Sequence, residues 1–567
     1  MKVVIVGGVA GGASAATRAR RLSEQAEIVL LERGPDVSFA NCGLPYYVGQ
    51  EIVERGKLLV TTPARLRARF RLDVRTQTEA VAIDRAAHTV KLRNMATGAE
   101  SVETYDRLIL APGAAHIRPP LPGLELPGIH TLRNLADVDR IKSAVDALLT
   151  ATPAGTAPRA IIVGAGFIGL ELVENLVRRG VHCTVVELQD QVLPPFDREM
   201  TTPIAETLAR HGVEVRLQEA AEGFEAAPAG IRIRLKSGQT LDGHLVILGV
   251  GVRPENRLAV EAGLEVGPRG GIRVNESLQT SDPHIYAVGD AIEVRDPVTG
   301  TATQVPLAGP ANRQGRLAAN HIFGQPAHYR GTQGTAIVRV FDRIAACTGA
   351  AEKTLQRAQL AYRKVYIHPM NHAGYYPGAE QMTLKLLFDP QTGRILGAQG
   401  VGGDGVDKRI DVLAMALQAG LTVTQLEEAE LCYSPQFGSA KDPVNMLGFV
   451  ASGLLRGEHP QLDLDAVLAL PAAQRPLLLD VRTVEEFSQG TLPGAVNIPV
   501  DDLRTRLNEL PRDRPIAAFC QVGQRGYLAT RILLQHGFDV RNIGGGYKTY
   551  RLFVPPQTEP AKSAPAR

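Results

Sequence analysis

The sequence predicts an α/β protein built from several domains. Two stretches of the 567-residue chain each pass from a short apolar strand into a glycine-rich turn and then into a helix. A third alternation of strands and helices surrounds a single cysteine near the C-terminus. Strands that alternate with helices are typical of parallel sheets covered on both faces. Because the chain is too long for one hydrophobic core, we expect three or four domains.

The composition limits the classes of function. Hydrophobic residues make up 44% and charged residues 21% of the chain, as in an ordinary globular enzyme. The 62 basic residues nearly balance the 59 acidic ones, so we expect neither a nucleic-acid nor a membrane partner but small molecules. Five scattered cysteines argue against a disulfide framework. With no cleavage site and no apolar run of membrane-spanning length, a cytoplasmic protein is expected.

The first nucleotide-binding signature opens the chain. An apolar run at 2–6 leads into a glycine-rich turn, where bare backbone can approach a pyrophosphate at a helix N-terminus. Val9 replaces the middle glycine of the usual pattern, but the strand 27–31 is followed by Glu32, whose carboxylate can accept from a ribose hydroxyl. A glycine-rich turn of another α/β fold is the alternative. The predicted dinucleotide contacts are Gly7, Gly8, Ala10, Gly11, Gly12, Glu32 and Arg33.

The second signature is complete. A strand at 160–163 is followed by Gly164, Gly166 and Gly169 at the three fingerprint positions, and then by a helix. The next strand ends at Glu187, which is again placed to accept from a ribose hydroxyl. The two residues after Glu187 are uncharged, so the chain offers no adjacent cation for a 2′-phosphate. We therefore expect NADH rather than NADPH.

A lone cysteine lies shortly after the first signature. Cys42 stands within the segment SFANCGLPYY, residues 38–47, with no second cysteine close enough in sequence for a local disulfide. Its redox partner must therefore come from outside this segment. A buried structural cysteine is the alternative interpretation.

Residues 1–450 closely resemble the pyridine nucleotide-disulfide reductase family. The resemblance rests on the two signatures, on a strand and tight crossover at 105–113, and on the segment 280–291, which contains Asp290. It implies a held FAD, with Asp290 at its ribityl chain, and an exchanging NADH that enters past Phe167. A helix opening near Pro310 would direct its positive end at the flavin. The other FAD contacts are expected at Ser38, Asn41, Ala111, Gly113, Pro310 and Asn312.

The cysteine pattern separates branches of that family. Enzymes with C-x4-C form an internal dithiol, whereas this chain has Cys42 alone. Its context resembles the coenzyme A-disulfide reductase branch, whose cysteine pairs with the thiol of CoA. It also resembles NADH oxidases and peroxidases, whose cysteine cycles through sulfenic acid.

Two tyrosine segments, 372–378 and 431–435, resemble the CoA-disulfide branch. The resemblance implies that Tyr375 or Tyr376, together with Tyr433, arrives from a partner subunit and faces the cysteine. A phenol can hydrogen-bond a leaving thiolate there. Packing in a sheet interface is the alternative for each tyrosine. His368 and His372 have a spacing seen at metal sites, but Pro369 argues against a helix, so no metal site is predicted.

Residues 470–552 resemble the rhodanese domain. The resemblance rests on strands at 477–482, 494–499 and 516–519, the last of which leads into Cys520 and a helix. Backbone N–H groups and the helix dipole would stabilise the thiolate of Cys520. Its C-x4-R spacing to Arg525 matches sulfurtransferases, whereas phosphatases of similar build use C-x5-R. The loop residues expected around the sulfur are Gln521, Gly523 and Arg525, and a structural cysteine is the alternative.

The whole chain resembles a CoA-disulfide reductase fused to rhodanese. The predicted divisions are an FAD domain (1–150 and 271–325), an NAD domain (151–270), an α+β dimerisation domain (326–450), a linker (451–468), a rhodanese domain (469–555) and a tail (556–567). A homodimer is expected that uses NADH, FAD and coenzyme A to reduce CoA-disulfide, CoA-persulfide or polysulfide. The alternatives are an NADH oxidase or peroxidase, and a rhodanese sulfurtransferase with a secondary flavin module.

Overall fold

The structure, a computed structural model, describes residues 1–153, 155–228 and 230–555. It divides into two compact units, the first formed by residues 1–188 and 213–334, and the second by residues 189–212 and the chain from 335 onward. The predicted tail, 556–567, lies outside the described residues. Within the described ranges, no helix has both the length and the apolar character needed to cross a bilayer.

A five-stranded parallel sheet forms the first core of the first unit. Its strands, in spatial order, are Ile285–Ala287, Arg107–Leu110, Lys2–Val6, Glu27–Leu31 and Asp73–Arg75. Val3, Val4 and Ile5 are fully buried because both faces of the sheet are covered. The helices Ala10–Leu22 and Ala308–Ile322 pack against each other, and a Cβ atom on Gly315 would lie 2.1 Å from the Gly11 carbonyl oxygen. The predicted strands at 2–6 and 27–31 coincide with the observed ones.

A second five-stranded parallel sheet carries the second signature. Its strands, in spatial order, are Glu214–Arg216, His182–Val186, Arg159–Val163, Leu245–Leu248 and Ile129–His130. The predicted helix after the glycine turn is observed at Phe167–Arg178. The smaller sheets of this unit join Thr78–Asp84, Thr89–Asn94 and Glu100–Thr104; Ala221–Ala227, Gly230–Leu235 and Thr240–Gly243; Ala114–His116 and Val252–Pro254; and Val294–Arg295 and Ala302–Thr303.

The second unit contains one antiparallel and one parallel sheet. The antiparallel sheet has the order Ala336–Val340, Arg343–Gly349, Ile395–Gly402, Thr383–Phe388 and Arg363–Ile367. The parallel sheet has the order Gln461–Leu462, Val540–Ile543, Ile516–Phe519, Leu477–Asp480 and Val496–Asn497. The strand predicted at 494–499 is reduced to two residues, whereas the one at 516–519 is as predicted.

The remaining helices connect these sheets. The α-helices are Leu44–Val48, Pro63–Phe70, Leu135–Ala151, Arg198–Arg210, Arg257–Glu261, Glu352–Arg357, Val406–Gln418, Val423–Glu427, Pro443–Leu455, Leu464–Ala469, Val484–Ser488, Gln524–Gln535 and Gly546–Phe553. Short 3-10 helices occur at Asn41–Gly43, Arg55–Leu58, Gly289–Ala291, Ala472–Gln474, Leu503–Thr505 and Leu507–Glu509.

The prediction of a linker at 451–468 is wrong. The helix Pro443–Leu455 runs through its first part, Gln461–Leu462 forms an edge strand, and Leu464–Ala469 is helical. Leu464 and Val467 are buried in the core of the C-terminal domain. Gly453 is accommodated inside the helix, which ends at Leu455, and the chain turns away at Gly457, where φ is +72°. The irregular connection therefore shrinks to 456–460.

The C-terminal domain packs directly on the antiparallel sheet within the second unit. The buried His368 ring hydrogen-bonds the hydroxyls of Thr383 and Thr549, each at 2.9 Å. Burial lowers the pKa of His368 to about 3, so the ring is neutral. The Lys364 ammonium pairs with Asp465 at 2.7 Å. These polar contacts hold the C-terminal domain in one orientation on the sheet.

Candidate active sites

Cys42 is exposed on a tightly packed turn. It lies in the 3-10 helix Asn41–Gly43, and a Cβ atom on the buried Gly43 would come within 2.7 Å of Leu58. The turn is therefore anchored next to the cysteine while Cys42 itself reaches solvent. This contradicts the alternative of a buried structural cysteine, which is instead the environment of Cys183 and Cys347.

The electrostatic surroundings of Cys42 favour the thiol. Desolvation by the neighbouring protein raises the pKa of Cys42, and the carboxylates of Glu171 and Asp290 raise it further. Solvent reaches the residue, yet enough protein surrounds it to penalise the thiolate. A nucleophilic thiolate at Cys42 thus needs a hydrogen-bond donor or a positive charge beside the sulfur.

Glu171 is a site residue that the sequence did not reveal. It lies on the helix Phe167–Arg178 and accepts a hydrogen bond from the Tyr46 hydroxyl at 3.1 Å. Burial raises the pKa of Glu171 to about 7, Tyr46 lowers it, and Glu174 raises it. The available signal was an acidic residue in the apolar helix directly after the second signature. The charge of Glu171 therefore changes near neutral pH. Glu171 lies close enough to Cys42 for this charge to raise the pKa of the thiol.

The first glycine turn has the backbone geometry of a dinucleotide site. Gly7 has a φ of +99°, and a Cβ atom on Gly12 would lie 1.8 Å from the Gly7 carbonyl oxygen. The Glu32 carboxylate accepts from the backbone N–H of Gly8 at 2.8 Å and from that of Gly34 at 2.7 Å. The acidic side chain is therefore fixed against the turn. Ala10 and Gly11 begin the helix that follows.

Several predicted FAD contacts gather around Arg133, which the sequence did not single out. Desolvation lowers the pKa of Arg133, as does Arg33, while Glu255, Asp290 and Glu32 raise it. Its guanidinium donates to the Pro112 carbonyl at 3.2 Å and lies 3.4 Å from where a Cβ atom on Gly113 would be. The Asn41 side chain donates to the Arg133 carbonyl. Two further predicted FAD contacts are held by backbone hydrogen bonds, since the N–H groups of Ser38 and Ala111 donate to the carbonyls of Gly8 and Val6.

The environment of the Asp290 carboxylate shows whether the first site fits a flavin nucleotide. Its carboxylate is half-buried, and desolvation raises the pKa of Asp290 while Arg133 lowers it. No hydrogen-bond donor to this carboxylate occurs within residues 1–153, 155–228 and 230–555. A desolvated acceptor of this kind fits the hydroxyls of a ribityl chain. Pro310 is buried in the nearby helix, and the Asn312 side chain is engaged by Ser14 and Ala308.

The second glycine turn fits an exchanging dinucleotide. Gly164 has a φ of +109°, and a Cβ atom on Gly169 would lie 2.2 Å from its carbonyl oxygen. The Ala165 N–H donates to the buried Glu187 carboxylate at 2.7 Å. A Cβ atom on Gly166 would meet nothing within 4 Å, so this side of the turn is open to a ligand. The half-buried Phe167 begins the adjoining helix.

Cys520 lies in a loop whose backbone closes around the sulfur. The residue is fully buried at the end of the strand Ile516–Phe519, and the Gly523 N–H donates to its Sγ at 3.2 Å. The Cys520 carbonyl accepts from the N–H of Tyr547 at 2.7 Å. The other two predicted loop residues are also engaged, since Gln521 accepts from Arg482 at 3.1 Å and Arg525 forms a two-point ion pair with Glu486.

The predicted tyrosines are exposed in the second unit. The hydroxyls of Tyr375 and Tyr433 lie 3.3 Å apart, and the Tyr375 residue is 77% exposed. Tyr376 instead packs edge-on against the His372 ring, with centroids 5.7 Å apart. The structure therefore brings Tyr375 and Tyr433 together and leaves Tyr376 outside the pair.

Comparisons with known proteins identify the class. The model described as pyridine nucleotide-disulphide oxidoreductase matches residues 1–315, its dimerisation domain matches 335–442, and a rhodanese-like domain matches 463–552. The chain therefore belongs to the pyridine nucleotide-disulphide oxidoreductase family. The predicted α/β fold class, with two dinucleotide-binding domains, a dimerisation domain and a rhodanese domain, is confirmed. FAD and NAD(H) are the cofactors of this family.

Individual relatives share most or all of the chain. Coenzyme A disulfide reductase of Staphylococcus aureus is 36% identical over 451 residues, which cover 79% of this chain and 99% of that protein. The crystal structure of reduced CoADR-RHD from Bacillus anthracis aligns at 47% identity and a TM-score of 0.93, over 98% of both chains. An NAD-dependent persulfide reductase from A. fulgidus aligns at 37% identity and a TM-score of 0.89, over 97% of this chain and 100% of that one.

Proposed function

We propose that the protein is an FAD-dependent NADH oxidoreductase that reduces CoA-disulfide, CoA-persulfide or polysulfide, with a rhodanese domain that handles sulfane sulfur. One observation carries the proposal, namely that the chain holds two cysteines in opposite environments. Cys42 is exposed among the residues of the first dinucleotide site, whereas Cys520 is enclosed by a backbone loop. The relatives named as coenzyme A disulfide reductase and persulfide reductase support the same assignment.

Cys42 performs thiol–disulfide chemistry in this proposal. When bound, FAD supplies the redox chemistry: it can accept a hydride from NADH and pass two electrons to a disulfide. The Cys42 thiolate attacks the inner sulfur of CoA-persulfide, which forms a mixed disulfide with CoA and releases hydrosulfide. Two electrons then cleave the mixed disulfide and leave the Cys42 and CoA thiolates. Asp290 and Glu32 bind the hydroxyls of the flavin nucleotide, and Glu187 binds the ribose of NADH.

An arginine cluster supports a substrate with phosphate groups. Arg18 and Arg21 lie on the helix Ala10–Leu22, and Arg316 lies on the adjacent helix. Desolvation lowers the pKa of Arg18, and the positive charges of Arg316 and Arg21 lower it further. None has a carboxylate within ion-pair distance among the described residues. The Arg18 Nε donates to the Asn320 side chain at 2.7 Å, so its positive charge is oriented but not neutralised. The phosphates of CoA match guanidiniums of this kind.

The tyrosine pair extends the proposal to a homodimer. Tyr375 and Tyr433 are exposed and carry neighbouring hydroxyls, as expected for groups that act on a second subunit. We place them at Cys42 of the partner subunit, where a phenol donates to the thiolate that leaves the mixed disulfide. Such a donor would also offset the raised pKa of the Cys42 thiol.

The test is the variant Cys42→Ser. It should keep bound FAD and the bleaching of the flavin by NADH, yet lose the reduction of CoA-persulfide, because hydride transfer does not need the thiol. Flavin absorbance and stopped-flow reduction measure the first two properties, and hydrosulfide release measures the third. Cys432→Ser, which removes the other exposed cysteine, is the matched control. Unchanged persulfide turnover in Cys42→Ser would refute the proposal.

A further inference from the structure

The positive charges that line the Cys520 loop are neutralised by the protein. The guanidinium of Arg525 forms a two-point ion pair with Glu486, at 2.6 and 2.7 Å. The buried Arg482 pairs with the buried Asp480 at 2.6 Å. Arg525 is also a neighbour of the sulfur, because its hydrogen bond to Glu486 and the Cys520 thiolate both raise the pKa of Arg525. This cation beside the reactive sulfur is therefore already paired.

Glu486 is held rigidly in this pairing. Its carboxylate accepts from the Thr483 N–H at 3.0 Å, and its own N–H donates to the Thr483 hydroxyl at 3.2 Å, which makes a capping box on the helix Val484–Ser488. The hydrogen bond from Arg525 is the main cause that lowers the pKa of Glu486 to about 2. The carboxylate is thus ionised at every pH at which a persulfide is handled.

Lys548 is a third cation close to the loop. Its backbone N–H donates to the Gln521 carbonyl at 2.9 Å, and its ammonium donates to the neutral side chain of Gln381. Burial and the nearby Arg343 lower the pKa of Lys548, which disfavours its charged form. The loop surroundings thus offer little net positive charge to a dianion.

We propose that Glu486 sets the donor specificity of Cys520, which takes sulfane sulfur from singly charged thiol persulfides in preference to thiosulfate, a dianion. The inference rests on the proposed function, because it assumes that Cys520 carries sulfane sulfur. The Cys520 thiolate attacks the terminal sulfur of RSS⁻ and forms a new S–S bond. The S–S bond of the donor breaks, and its electron pair leaves with the thiolate RS⁻. No external oxidant or reductant takes part.

Thiosulfate would follow the same path with a different leaving group. Its terminal sulfur would pass to Cys520, and sulfite would leave as a dianion. A free guanidinium would stabilise that charge, but Glu486 already occupies Arg525. The ion pair therefore raises the barrier for thiosulfate more than for a persulfide, whose leaving group carries one charge.

The experiment uses the full-length protein without NADH. Wild type, Glu486→Gln and Glu485→Gln are mixed with glutathione persulfide or with thiosulfate, and mass spectrometry follows the persulfide on Cys520 over time. Gln keeps an amide oxygen for the Thr483 cap but removes the charge. Glu486→Gln should raise the loading rate from thiosulfate relative to persulfide by roughly tenfold, the scale of one charge near the protein surface. Glu485→Gln, a neighbour on the same helix, should leave the ratio unchanged.

A second variant keeps the test decisive if Glu486→Gln does not fold. Arg525→Gln leaves the Glu486 charge uncompensated, so loading from thiosulfate should fall further below loading from persulfide. An unchanged ratio in folded Glu486→Gln, a rise in Arg525→Gln, or equal wild-type rates from the two donors would overturn the inference and leave the proposed function intact. If wild-type Cys520 accepts sulfur from neither donor, the proposed function itself fails.

Discussion

Glu171 is the residue at which the charge of the first site depends on pH. Its pKa in the folded protein, about 7, lies above the usual 4.5 because burial penalises the carboxylate. A raised carboxyl pKa stabilises the folded state below pH 4.5, and this stabilisation is lost as the pH rises toward 7. The negative charge formed in that window opposes ionisation of Cys42. The reactivity of Cys42 should therefore rise less steeply with pH than that of an isolated thiol.

We expect Glu171→Gln to lower the pKa of Cys42, since one of the negative charges that raise it is removed. The measurement is the pH profile of iodoacetamide alkylation at Cys42, read by mass spectrometry. Tyr46→Phe keeps the Glu171 carboxyl but shifts its titration, because the Tyr46 hydroxyl lowers the pKa of Glu171. It should move the inflection that Glu171 causes to higher pH. Identical profiles for wild type and Glu171→Gln would show that this carboxyl does not influence the thiol.

The roles of residues within the glycine-rich signatures could be predicted from the sequence, but contacts between residues far apart in the chain could not. Gly7, Gly12 and Glu32 form a local pattern, so the turn follows from the sequence. Glu171 and Tyr46 are 125 positions apart, and a pattern along the chain does not reveal that they meet. Arg133 was missed for the same reason, because its role depends on carboxylates that come from distant segments.

At the scale of elements, the strand Thr383–Phe388 carries an unusual buried charge. The fully buried Lys385 ammonium lies 2.7 Å from Asp197 and 2.5 Å from Glu199, and it also contacts Glu352. These carboxylates come from the segment before the helix Arg198–Arg210, from that helix, and from the helix Glu352–Arg357. One lysine thus joins the strand to two helices of the second unit.

Lys385→Met should destabilise the second unit by about 3–5 kcal/mol, because it leaves three carboxylates without their common cation in a buried position. Lys441→Met, at an exposed position, should change the stability by less than about 0.5 kcal/mol. Urea unfolding followed by circular dichroism measures both variants. If the two midpoints coincide with that of wild type, the buried cluster does not hold these elements together.

The elements show where local sequence determines structure. Strands at 2–6, 27–31 and 516–519 were predicted correctly, since each is an apolar run with glycine, polar or cysteine residues at its end. The segment 451–468 was mistaken for a linker because Gly453, Gly457 and Pro460 suggest loose chain. Its strand and helix are stabilised by burial against distant strands, which local composition does not register.

On the scale of the whole molecule, the docked C-terminal domain limits how sulfur can move. Only residues 456–460 are irregular between the helix Pro443–Leu455 and the C-terminal sheet, and His459 is bonded to Asn542 at 2.9 Å. A wide swing of the rhodanese loop is therefore disfavoured. We therefore propose that a small carrier such as CoA transfers sulfur between Cys520 and Cys42.

Under this hypothesis, Cys520→Ser should spare the reduction of CoA-persulfide while slowing the use of polysulfide several-fold. Tyr433→Phe should slow both, because its phenol acts on the thiolate that leaves Cys42. The measurement compares the rates of the two variants on both substrates under matched conditions. Equal losses on the two substrates in Cys520→Ser would mean that the two cysteines do not divide the work.

The contact between His368 and Thr549 also has a consequence during synthesis on the ribosome. The two residues are 181 positions apart, so the antiparallel sheet emerges long before the helix Gly546–Phe553 that covers it. Until that helix arrives, Tyr366 and His368 face water, or a chaperone, instead of Gly545 and Thr549. A chain that stops before 546 would keep this surface uncovered permanently. Removing the rhodanese domain is therefore expected to yield a protein that is more prone to aggregate through this uncovered surface.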